Sequence, residues 1–202
     1  MKYFDILNRI QSTLQQVNGF EHDLLVTDFL APSGGQNSLI VKEGSDEAEI
    51  LVCLDEKLLK RCSDLRLPHD FDRQKLSDLS ILVEELSHFN TLCESLLANR
   101  EVSALELEVQ GEVDKFAAVL SWLEERNEET LQHDFFEALF GQCELGAWVK
   151  PEERERYLEA HSIARNFCRH LLKRDLSWVD RKREFKRFFN SPRSVKLNPS
   201  AH

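Results

Sequence analysis

Between Tyr3 and Val17 the apolar positions Phe4, Ile6, Leu7, Ile10, Leu14 and Val17 recur at helical intervals, and Asn18-Gly19 marks the stop. The period then changes. Leu24–Leu30, Ser38–Lys42 and Glu49–Leu54 are short apolar runs separated by Pro32-Ser33-Gly34-Gly35 and Gly44-Ser45-Asp46, which predicts three short strands in an antiparallel meander. Asp55 is placed to cap a short helix running through Leu59 and Cys62. After the break at Pro68-His69-Asp70 the pattern is helical, over residues 73–98, 103–126, 129–140, 152–173 and 177–189. Ser103 with Glu106 forms a capping box, and Pro151 opens its helix where a missing N–H costs nothing. Asn190-Ser191-Pro192 ends the last helix.

The pattern predicts an α+β chain, predominantly α. Residues 1–72 form a small α/β unit with one helix and the meander, 73–190 a four- to five-helix bundle, and 191–202 a flexible tail, all within one compact unit. At 42% hydrophobic and 31% charged residues, with only 7 Gly and 5 Pro, the chain of 202 residues can bury a core. That balance excludes collagen-like and low-complexity readings. No apolar run approaches the roughly 18 residues of a membrane span, and Met1-Lys2-Tyr3-Phe4-Asp5 lacks the apolar core of a signal peptide. A cytoplasmic protein without a membrane role is therefore expected. Five cysteines, an odd number with no C-x-x-C pair, read as core residues in a reducing compartment.

Net charge is −10, but Lys173–Lys196 holds nine Lys/Arg against three Asp/Glu. An acidic body repels nucleic acid, so nucleic-acid binding is not expected. The basic segment, with Trp178, Phe185, Phe188 and Phe189 among its cations, suits docking on the chain's own body. It also suits a homo-oligomer or protein partner, which would make the molecule a non-enzymatic interaction or regulatory module.

Candidate chemistry comes from ionisable residues that fall on apolar stripes. In the helix around Leu79–Leu97 a second stripe runs through Ile81, Glu85, His88 and Leu92. In the next helix Glu112 interrupts Leu105, Val109, Phe116, Leu120 and Leu123, with Glu108 one turn earlier. His161 sits among Tyr157, Ala164, Cys168 and Leu171. A buried carboxylate must be paired, protonated or metal-bound. Glu85, His88, Glu112 and His161 thus form a candidate ligand set suited to iron, manganese or zinc, with Glu108 and Tyr157 as outer partners. The same four residues also suit a metal-free acid–base site, or two ordinary buried pairs.

Glu85-x-x-His88 resembles half of the ligand pattern of di-metal carboxylate bundles, which use two such motifs. Glu84, Glu85, Glu108 and Glu112 resemble the magnesium-gathering carboxylates of all-α nucleotide pyrophosphohydrolases, but His88 on the same face disfavours magnesium. Neither resemblance extends to a family assignment. A redox-active metal would imply an oxidoreductase, zinc a hydrolase. No nucleotide cofactor is indicated, since no Gly-rich phosphate loop is present.

Overall fold

The computed structural model describes residues 2–33, 35, 37–43, 48–63, 72–141 and 149–198. The fold is α+β and predominantly α, as the pattern predicts. Helix α1 covers Lys2–Asn18, and Gly19 closes it in the left-handed region at φ 69°. Strands β1 (Leu30–Pro32), β2 (Ser38–Glu43) and β3 (Ala48–Leu54) follow, then α2 (Glu56–Cys62), capped by Asp55 accepting from Lys57 N–H. The long helices are α3 (Arg73–Leu97) and α4 (Ala104–Arg126), the latter opened by the Ser103–Glu106 capping box. Helices α5 (Gln132–Phe140), α6 (Arg154–Lys173), α7 (Trp178–Phe189) and α8 (Arg193–Lys196) complete the chain.

The sheet is not the expected meander. Its order is β1-β3-β2, with β2 antiparallel and β1 parallel to β3. The cause lies in Leu24–Leu30, which does not extend as a strand. Gln11 on α1 accepts from Val26 N–H at 3.0 Å and donates to the Leu24 carbonyl at 2.8 Å. With these backbone groups satisfied by a side chain, Val26–Phe29 coils into a 3-10 turn, and only Leu30–Pro32 remains to pair, on the far edge of β3. The hairpin signal Gly44-Ser45-Asp46, the break Pro68-His69-Asp70, Cys143 and the last four residues lie outside the described residues.

Two apolar clusters share α4. Val109, Phe116, Leu120 and Leu123 join α5, α6 and α7, while Ala118 and Trp122 face α1, α3 and the sheet. Between the clusters lies a polar knot. Buried Asp114 accepts from Ser87 Oγ at 2.6 Å, Gln110 Nε2 at 2.8 Å and Asn18 Nδ2 at 2.9 Å, tying α1, α3 and α4 together. Burial pushes its carboxyl up to about 6, against those bonds and the nearby Lys196.

The C-terminal helices pack on the body of the chain. Phe185, Phe188 and Phe189 are buried, with α7 packed on α1 and α4, so the aromatic face lies inside the fold. Past Pro192, α8 brings Lys196 inward to 1% exposure, where Nζ donates to the Phe189 carbonyl at 2.8 Å. Cys62, Cys93 and Cys168 are buried free thiols and Cys53 is half-buried. Among the described residues no helix is long and apolar enough to cross a membrane.

Candidate metal centre

Helices α3, α4 and α6 meet along a seam that carries charge instead of apolar side chains. On α4 the seam is Glu108, Gly111, Glu112 and Lys115, one stripe at i, i+3, i+4, i+7 spacing. On α3 it is Glu84 and His88, with Glu85 beside them; on α6 it is Arg156, Tyr157 and His161.

The seam resolves into two linked groups. In the first, Lys115 Nζ lies 2.5 Å from Glu84 and 2.6 Å from Glu112, and His161 Nδ1 is 3.0 Å from the other oxygen of Glu112. Burial works to raise the Glu112 pKa, but Lys115 and the bond from His161 overcome it and bring the group to about 2. Glu112 is therefore a carboxylate and His161 Nδ1–H donates to it. Burial disfavours the Lys115 ammonium, yet Glu112 and Glu84 outweigh this and hold it well above the usual lysine range.

The second group is Glu84, His88 and Glu108. One ligand atom from each lies within 4.8 Å of the others, and among the described residues this is the only such trio. Burial lowers the His88 pKa, against the pull of Glu84, which keeps the imidazole neutral. Its Nε2 is buried with no hydrogen-bond partner, 3.8 Å from Glu108 Oε2. A neutral imidazole with a buried, unpartnered nitrogen can offer that nitrogen to a metal. Space for the ring comes from Gly111: a Cβ there would stand 3.3 Å from His88 Nε2 and 3.4 Å from Glu84 Cγ.

Glu108 is pushed up to about 7 by burial and by Glu84, against Arg156 and a hydrogen bond from Tyr157. Arg156 reaches Glu108 at 3.3 Å and Glu153 at 3.4 Å, and stacks over the Tyr157 ring at 5.3 Å. Glu85 is pushed to about 8 by burial and by Glu84 and Glu108. Three carboxylates, Glu84, Glu108 and Glu112, thus face two cations, Lys115 and Arg156. The negative excess calls for a proton or a further cation.

The four residues singled out from sequence do not converge on one point. Glu112 and His161 pair with each other and Lys115, Glu85 stands beside the trio, and only His88 belongs to it. Glu108, expected as an outer partner, supplies a trio oxygen, and Tyr157 hydrogen-bonds it. Glu84 replaces Glu85 because residues four apart on a helix diverge by only about 40° and residues three apart by about 60°. Lys115 and Arg156 were missed because attention to carboxylates and histidines overlooks their counter-ions. The i, i+3 and i, i+7 spacings of Lys115 from Glu112 and Glu108 were the available signal. Comparison with protein-family models, with curated proteins and with solved structures gives no significant match to this chain.

Proposed function

We propose that Glu84, His88 and Glu108 bind one divalent transition metal, and that the protein is a metal-dependent hydrolase. The observation that carries this reading is His88 Nε2: buried, unpartnered, and grouped with oxygens of two carboxylates. One nitrogen and two oxygens suit zinc, manganese or ferrous iron. Three protein ligands leave positions for water and substrate, the arrangement of catalytic rather than structural sites. A metal bound there supplies Lewis acidity and lowers the pKa of its water. Tyr157, hydrogen-bonded to Glu108, orients that carboxylate. Arg156 and Lys115 offset part of the local negative charge and fix the carboxylates in place.

The test is hydrolysis of generic ester and phosphoester substrates by protein reconstituted with zinc, manganese or ferrous iron. Turnover that requires the metal and disappears in His88→Ala supports the reading. Full metal occupancy without turnover across both ester classes overturns the hydrolase assignment and leaves a metal-binding protein. Redox turnover by the iron or manganese form would favour an oxidoreductase.

A further inference from the structure

Residues of α6 and α7, with Ser191 and Val195, line a cleft of about 490 Å³, within the range of small-molecule sites. Its floor is apolar: Phe167, Leu171 and Phe188 from the core, extended by Val195, which is 43% exposed. Its walls are charged. Arg174 and Glu184 neutralise each other at 2.9 Å. Lys173 and Arg187 also line the cleft, both are exposed, and neither forms an ion pair with any described residue. His170 adds a ring nitrogen from the same wall. A chain with net charge −10 thus places two unmatched cations beside an apolar floor.

We propose that this cleft binds a small amphipathic anion, with its head on Lys173 and Arg187 and its apolar body over Phe188 and Val195. Charge complementarity sets the sign of the head, and the floor requires a hydrocarbon or aromatic body. The lysine supplies a point charge and the arginine a planar fork, and either suits a carboxylate or phosphate head. The volume suits one molecule rather than a lipid surface. This site is independent of the metal centre and stands or falls separately from it.

The test is calorimetric titration of the full-length protein with decanoate below its micelle concentration, with decanol and phosphatidylglycerol vesicles as comparisons. One equivalent of decanoate is expected to bind saturably, with decanol at least about tenfold weaker. Lys173→Glu/Arg187→Glu is expected to weaken decanoate by at least about tenfold at an unchanged melting temperature. Should that variant melt lower, Val195→Asp, which places a charge on the apolar floor, is expected to give the same loss. Absence of saturable decanoate binding, unchanged affinity in the folded variants, or binding to vesicles alone would overturn the proposal.

Discussion

The imidazole of His88 occupies the space that a side chain at Gly111 would need, with Nε2 only 3.3 Å from an ideal Cβ on that glycine. The glycine lies mid-helix, where it costs roughly 1 kcal/mol of helix propensity relative to alanine. Its presence is accounted for by the group it admits. Gly111→Ala is therefore expected to leave the melting temperature nearly unchanged, because the propensity gain offsets the crowding. Affinity for the divalent ion should fall by at least about tenfold. Parallel thermal melts and metal titrations of the variant check both halves.

Lys115 bridges Glu84 and Glu112, so its removal leaves two largely buried carboxylates facing each other. Lys115→Met is expected to destabilise the metal-free protein by roughly 3–5 kcal/mol at pH 7. The sign of the pH dependence follows from Glu112. Its folded pKa, about 2, lies below the ordinary value of 4.5, so its contribution is present above that value and lost as pH falls toward 2. The gap between wild type and Lys115→Met should consequently narrow in acid. Urea denaturation at pH 7 and pH 3.5 measures it.

Glu85 works in the opposite sense. Its folded pKa, about 8, lies above 4.5, so the folded protein binds more protons than the unfolded chain between those values, and this group's contribution declines as pH rises. Glu85→Gln removes the titration while keeping the shape. Its stability relative to wild type is expected to improve steadily from pH 4.5 to pH 8 and level off above. A flat difference across that range would show that the carboxyl is not buried as described.

Asp114 gathers three donors from three elements, and no other side chain joins α1, α3 and α4 in this way among the described residues. Asp114→Ala strands those donors in the interior and is expected to cost about 2–4 kcal/mol. The loss should appear in urea denaturation without altering metal affinity, which separates this knot from the metal centre.

Most of the helical architecture was legible because each helix carries both a period and a boundary signal. Asp55 and Ser103 cap where the pattern placed them, and Gly19 stops α1. The strand order was not legible, since the side chain of Gln11 diverts Leu24–Leu30 from the sheet and no local pattern reports a contact so far along the chain. The burial of Lys196 was not legible for a related reason. Lys196 reads as a surface residue, yet it is buried beside the Phe189 carbonyl and the rings of Phe188 and Phe189. At the seam, stripe analysis singled out His88, Glu112 and His161 on three helices that the structure brings together. It could not settle which of two adjacent glutamates turns inward, nor that Lys115 would claim Glu112.

The central claim is that the ion binds at Glu84, His88 and Glu108 rather than at the Glu112–His161 pair. The most direct measurement is metal stoichiometry and affinity after reconstitution of metal-free protein with zinc, manganese or ferrous iron, compared across His88→Ala, Glu108→Gln and His161→Ala. The account predicts one ion per chain in wild type, none in His88→Ala, weakened binding in Glu108→Gln and near-normal occupancy in His161→Ala. Folded wild type that takes up no ion, or His88→Ala that binds as tightly as wild type, would contradict it.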